Sequence, residues 1–132
     1  MHESELRDLP LFEGLGKKER ELLATRADEI DVPEGKVLVE QGRTAYEFFV
    51  ICGGRASVER DGEQVADVGP GDFFGEVGIV THAPRNATVT ARSAMTLLVI
   101  TSQAFRGIER DTPSVARQVE KAVEDRRPEA PA

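Results

Sequence analysis

Hydrophobic and polar positions change period twice along the chain. In residues 3–28 the pattern is helical: Lys17-Lys18-Glu19-Arg20-Glu21-Leu22-Leu23-Ala24 is rich in helix formers, with Leu22 and Leu23 set on one side. Leu9, Leu11, Phe12 and Leu15 form an apolar patch ahead of it, interrupted by Pro10 and Gly14, and Gly16 is a weak cap for the helix start. From residue 29 to 101 the apolar runs shorten to strand length. Val32-Pro33-Glu34-Gly35-Lys36-Val37 reads as strand, turn, strand. Val37-Leu38-Val39, Phe48-Phe49-Val50-Ile51 and Leu97-Leu98-Val99-Ile100 are strands buried on one or both faces. Ala56 to Arg60 alternates at period two, Asp61-Gly62 is a strong hairpin turn, and Val65 to Val68 returns.

Beyond residue 101 the helical pattern resumes. Ser102 is placed to cap a helix from Gln103 to Glu109, and Thr112-Pro113 has the N-cap and first-turn preference of a second helix. Val115, Ala116, Val119, Ala122 and Val123 make a stripe at three- and four-residue spacing, suited to a dimer seam, a lid or plain packing on the barrel. Short strands with frequent glycine turns predict a mostly β fold with flanking α-helices. The expected architecture is a β jelly-roll (double-stranded β-helix) barrel with N-terminal helices and C-terminal helices. A single domain over 1–132 is expected: helical 3–28, barrel 29–101, helices 102–126 and a frayed tail at 127–132.

Composition narrows the function. The 132 residues suit one domain, and 17 basic against 24 acidic side chains give a net charge of −7, which disfavours a nucleic-acid surface. One cysteine, Cys52, excludes an internal disulfide, and His2 and His82 lie in no metal-ligand spacing. The acidic start and the absence of a long apolar run predict a cytoplasmic protein with no membrane segment. His82 has no nucleophile or acid near it in sequence and reads as a loop residue, and Cys52 reads as a small buried hydrophobe.

One stretch departs from the strand rhythm, running from Gly69-Pro70-Gly71-Asp72 through Phe73-Phe74-Gly75-Glu76-Val77-Gly78 to Pro84-Arg85-Asn86-Ala87-Thr88-Val89. Its glycines let backbone approach a ligand closely, and a helical turn from Glu76 to Ile79 would direct amides at an anion. Arg85 offers a planar fork for two phosphate oxygens, and Glu76 an acceptor for a sugar hydroxyl. An anion clamp beside a hydroxyl acceptor suits a sugar phosphate. Taken one at a time, a glycine-rich turn is more often only a turn, and a lone arginine or glutamate a solvated charge.

The two halves of this stretch resemble the phosphate-binding cassette of cyclic nucleotide-binding domains, which occur in the catabolite activator protein, kinase regulatory subunits and gated channels. The resemblance extends over residues 9–125, through Leu9-Pro10-Leu11-Phe12, the Pro33 to Gly35 turn, Gly54 and Gly69 to Asp72. It implies a ligand-binding set of Gly75, Glu76, Val77, Gly78, Arg85, Asn86 and Ala87. Arg85 would pair with the cyclic phosphate and Glu76 would accept from the ribose 2′-hydroxyl. The amides of Gly78 and Asn86 would complete the cradle, and Gly75 and Val77 would shape its turn. Asn86 departs from the Ala, Ser or Thr common there, and many guanosine-selective members carry Thr, so cAMP is expected ahead of cGMP.

The resemblance therefore implies a stand-alone regulatory module, not an enzyme, with no cofactor or metal, that binds cAMP and signals through movement of helix 113–126. Its output would pass to a protein effector, since no helix-turn-helix follows the last helix, and a homodimer is one arrangement open to it. A cupin-like barrel enzyme is the competing reading, but it needs a histidine-rich metal motif. A degenerate barrel serving only protein interaction is the other, opposed by the intact Gly75-Glu76 and Pro84-Arg85 pairs.

Overall fold

The structure is a computed structural model and describes residues 2–44, 46–75 and 84–126. Eight strands make two four-stranded antiparallel sheets: β1 (Asp28–Val32), β8 (Met95–Thr101), β3 (Glu47–Gly53) and β6 (Phe73–Phe74) in one, β2 (Val37–Val39), β7 (Thr88–Ala91), β4 (Ala56–Arg60) and β5 (Glu63–Val68) in the other. This is the expected jelly roll, with helices at both ends of the chain. Among the described residues the helices are α1 (Glu3–Leu6), a 3-10 turn at Pro10–Phe12, α2 (Lys17–Arg26), α3 (Ser102–Asp111) and α4 (Pro113–Arg126).

The continuous apolar runs follow from burial on both faces of the first sheet. On β3, Phe49 and Ile51 point into the barrel while Phe48 and Val50 point outward under the helices. On β8 the same split puts Leu97 and Val99 inside and Leu98 and Ile100 outside. A strand covered on both sides has no polar face to show. The second sheet is wet on its outer side, so β7 alternates half-buried and buried, with Val89 and Ala91 inward.

The helical layer is one apolar cluster. Leu11, Phe12, Leu23, Phe105, Ile108, Val115, Ala116 and Val119 pack with Phe48 and Ile100 of the sheet, and Phe105 meets Phe48 edge to face at 6.2 Å between ring centres. Three residues of the α4 stripe are thus used in packing, and Ala122 leans partly on the same cluster. The Gln118 side chain donates to the carbonyls of Leu11 (2.7 Å) and Glu13 (2.9 Å), tying α4 to the 3-10 turn. Glu19 joins the starts of α2 and α4. It accepts from the Gly16 amide at 3.0 Å and from the Ser114 hydroxyl, and these two bonds hold its carboxyl below the usual range, the Ser114 bond first.

Several local expectations are corrected. Leu22 is exposed, and only Leu23 of the pair is buried, because α2 offers the core a narrow edge. Val37 is exposed and Val39 buried, because the β2–β7 register shifts between them and breaks the strand's alternation. The first C-terminal helix is capped by Thr101, whose hydroxyl accepts from the Ala104 amide at 3.0 Å, rather than by Ser102. Thr112 turns its hydroxyl back to donate to the Ile108 carbonyl at 3.1 Å, so it closes α3 and starts α4 only through its own carbonyl. Cys52 is half-buried, not buried, at the irregularity between Ile51 and Gly53 in the β3–β8 register. The expected tail at 127–132 lies outside the described residues.

Two positive-φ glycines give a paired test. Gly54 (φ +89°) has no room for a side chain, because a Cβ would come within 2.8 Å of the Met95 Cα. Gly35 (φ +91°) faces open space. Backbone strain alone costs about 1–3 kcal/mol, and overpacking against rigid backbone adds a similar amount. Gly54→Ala is expected to lower unfolding free energy by about 3 kcal/mol in urea, and Gly35→Asn by under about 1 kcal/mol, because Asn tolerates positive φ. Equal losses at the two sites would show that the contact with the β8 start is unimportant.

Candidate functional site

Arg85 is the charged group most deeply placed in the described structure, 8% exposed at the end of the barrel where β3 and β6 meet. Its backbone is fixed first. The Arg85 amide donates to the Arg43 carbonyl at 2.9 Å, and the Gly42 amide donates to the Arg85 carbonyl at 2.8 Å, as in a short antiparallel pair. Gly42 makes that turn at φ +85°.

The side chain is then held over the sheet end. Nη1 donates to the Gly75 carbonyl at 2.7 Å, and Nη2 donates to the Glu47 carbonyl. Gly75 is required twice. Its φ is +84°, and a Cβ there would sit 2.7 Å from Arg85 Nη1 and 3.2 Å from the Glu47 oxygen. The missing side chain is the space in which the guanidinium lies.

A second layer braces this arrangement. Asn86 gives its carbonyl to Arg60 Nε at 3.0 Å, and the Gln41 amide donates to the Thr88 hydroxyl at 3.0 Å. Gln41 also bonds both ways with Asp61 at the β4–β5 hairpin tip, at 2.8 and 2.9 Å. Asp61 and Gly62 both have positive φ, which fits the tight hairpin turn read from their pair. The hairpin, the turn after β2 and the Arg85 segment thus form one hydrogen-bonded unit.

Asn86 carries a further signal. Its Oδ1 is buried without a hydrogen-bond partner. A buried orphan acceptor costs about 1–3 kcal/mol, which a bound donor would recover. Ala87 is fully buried and begins the inward face that β7 continues.

Of the seven expected site residues, the structure brings Gly75 and Arg85 into contact and sets Asn86 and Ala87 directly after Arg85. Glu76, Val77 and Gly78 lie outside the described residues, as does His82. Glu47, Gly42, Arg43, Gln41 and Arg60 were missed. Glu47, Arg43 and Gly42 act through backbone groups, which leave no mark on side-chain pattern. Gly42, beside a Gln-Gly-Arg turn, carried the one available hint.

Among the described residues no three His, Cys, Asp or Glu side chains gather where a metal could bind. The Cys52 thiol is pushed up to about 11, by burial first and by the Glu29 charge second, so at neutral pH it is a protonated, poor nucleophile. No helix of the described residues is long and apolar enough to cross a membrane.

The domain is a β jelly roll with a glycine-seated arginine at the end of its first sheet. The chain belongs to the cyclic nucleotide-binding domain family, whose model matches residues 29–111. It is 32% identical over 108 residues to a cAMP-dependent protein kinase regulatory subunit of Yarrowia lipolytica, covering 80% of this chain and 29% of that one. Among solved structures it resembles the Thermus thermophilus catabolite activator protein, with a TM-score of 0.82 and 26% identity over 91% of this chain and 59% of that one. The regulatory domain of Toxoplasma gondii PKA, solved with cAMP, shares the fold with a TM-score of 0.80 at 23% identity, over 95% of this chain and 49% of that one. The chain spans less than a third of the length of the kinase subunits it matches, 29% and 19%.

Gly75→Ala tests the seat of the arginine. The added methyl is expected to expel the guanidinium, lowering stability by about 2–4 kcal/mol from strain and two lost charged hydrogen bonds. Arg85→Ala should remove most of that difference, so the double variant should be less destabilised than the sum of the singles. Strict additivity in a double-mutant cycle would show that the two do not interact.

Proposed function

We propose that this domain is a regulatory module that binds a 3′,5′-cyclic purine nucleotide, cAMP ahead of cGMP, without turning it over. The observation that carries the reading is the buried Arg85 guanidinium, seated in the space of a glycine at the barrel end. The planar fork of its guanidinium matches two phosphate oxygens, which an ammonium cannot do. Family membership supports a cyclic nucleotide as that anion. Glu76, Val77 and Gly78 are assigned the ribose hydroxyl, the turn and a phosphate-facing amide by the family motif they match. The Asn86 acceptor adds a place for one ligand N–H or O–H donor. The reading includes a cytoplasmic setting, no cofactor or metal, a protein effector, no direct nucleic-acid contact and an open choice between monomer and homodimer.

Titration calorimetry with cAMP and cGMP on one preparation tests it, with chromatography of the recovered nucleotide. Saturable binding with cAMP the tighter ligand and recovered intact is expected. Each hydrogen bond to a charged group contributes about 1.5–3 kcal/mol, so Arg85→Ala should weaken cAMP binding about 100-fold or more. Arg85→Lys should restore only part of it. Absence of heat at millimolar nucleotide, conversion to AMP, or an Arg85→Ala affinity within about threefold of wild type would each overturn the proposal.

The same geometry supports signalling through the C-terminal helices. Arg85 donates to the Glu47 carbonyl, and one residue earlier the Tyr46 carbonyl accepts from the Ser102 amide, at the start of α3, at 2.6 Å. A phosphate that competes for the guanidinium loosens Glu47, and with it the anchor of α3. A ligand shifts two arrangements only if it binds them differently, and this competition supplies the difference. In this reading, closure of the Gly75 to Val80 turn over phosphate also shifts Ile79 and Val80 against Phe105 and Ile108; Ile79 and Val80 lie outside the described residues. Hydrogen exchange with and without cAMP should change protection across 102–126 as well as at 84–88. Change confined to the Arg85 segment would leave a binding module whose helices do not switch.

A further inference from the structure

A second site lies on the helical layer, away from Arg85. A cleft of about 560 Å³ between the end of α2 and the face of α3 is lined by Thr25, Arg26, Thr101, Gln103, Arg106 and Arg110, with Ala104 and Gly107. Three guanidiniums and no carboxylate line it, in a chain whose net charge is −7. Asp111 lies at its edge, paired with both Arg26 and Arg110, so the arginines outnumber the one acid that answers them. Arg106 is exposed and makes no hydrogen bond or ion pair among the described residues.

The cleft is shaped for arginine. Gly107 is buried within α3, where glycine costs about 1 kcal/mol relative to alanine. A Cβ there would collide with the Arg26 guanidinium, whose Cζ would be 3.0 Å away. The glycine therefore lets the Arg26 plane lie against the helix backbone, which holds one fork in place beside the two exposed ones. Thr25, Thr101 and Gln103 add hydroxyl and amide groups that bond to carboxylate or phosphate oxygens. The acidic surplus of the whole chain repels extended polyanions such as duplexes or anionic bilayers, whereas a cleft of this size takes only a few residues at once.

We infer that this cleft is a docking site for an acidic segment of a partner protein, bearing carboxylates or a phosphorylated side chain, held by Arg26, Arg106 and Arg110. Electrostatic complementarity of this kind sets partner choice and orientation, and it weakens as salt screens it.

The test uses fluorescein-labelled octapeptides: octaglutamate, a phosphoserine peptide with the remaining positions Gly and Ser, and octalysine. Anisotropy at about 50 mM salt should show saturable binding of at least one acidic probe, lost at about 500 mM, and none of octalysine. Comparing the two acidic probes distinguishes carboxylate from phosphate. The paired substitutions R106E and R110E should weaken the acidic probe at least tenfold, and R106Q with R110Q should do so by a smaller factor. Amide shifts in the unmodified protein give a readout that needs no variant, and they should concentrate at 25–26 and 101–110. Failure of both acidic probes to saturate up to about 1 mM, unchanged affinity in both variants, or shifts centred elsewhere would overturn the inference. The Arg85 titration with cAMP is read separately and stands or falls without it.

Discussion

The structure depends on one sheet being buried on both sides. β3 and β8 lie next to each other, and successive residues along each go alternately into the barrel and under the helices. Phe49 stacks on Phe74 inside, with ring centres 4.9 Å apart, while Phe48 meets Phe105 of α3 outside. The first sheet therefore joins the two cores, and β6 repeats the split, with Phe73 in the outer cluster and Phe74 in the inner one. At about 25 cal/mol per Å² of apolar surface, each such large side chain contributes about 1.5–3 kcal/mol, and no residue of the pair can be moved without disturbing one core or the other. A one-residue register slip would exchange inside for outside along the whole strand.

That constraint determines where a charge can be tolerated. At the end of β3 the Glu47 and Gly75 carbonyls both accept from Arg85, which comes from the segment just before β7 and is bonded through its backbone to the turn after β2. Burying a cation is costly unless every donor is met, and backbone carbonyls meet donors without neutralising them. These two carbonyls are what let a guanidinium lie buried at the sheet end.

The sequence was informative wherever the physics is local. Period, turn chemistry and glycine placement were enough for the strands from Phe48 to Ile51 and Leu97 to Ile100, the Asp61-Gly62 hairpin and the Thr112-Pro113 boundary. Gly75 and Arg85 were legible as a motif, and the structure adds why one needs the other. What stayed hidden was carried by backbone or by tertiary choice. Glu47 contributes only its carbonyl, so its acidic side chain gave no sign of the role. Gln41 matters because a hairpin tip twenty residues away comes back to meet it. Leu22 and Val37 looked like core residues because hydrophobicity alone does not say which edge of an element faces the neighbour. Thr101 took the cap from Ser102 because β8 runs one residue further than its apolar run.

The two-sided sheet also bears on how the proposed signalling would travel from Arg85. The outer core is continuous from Phe48 through Phe105 and Ile108 to Val115 and Val119, so α3 and α4 share one cluster with the strand whose first carbonyl holds the arginine. Close-packed interiors do not deform smoothly, because a gap of even half an ångström forfeits much of the contact energy along its lining. A shift at Glu47 is therefore either absorbed at the strand end or passed on as a rigid displacement of α3. The Ser102 amide on the Tyr46 carbonyl favours the second outcome, since the helix start is bonded to the chain beside the moving residue. The inner core has no such freedom, being closed by both sheets. In the signalling proposed above, strain from a ligand at the sheet end would therefore relax outward, into the helical layer.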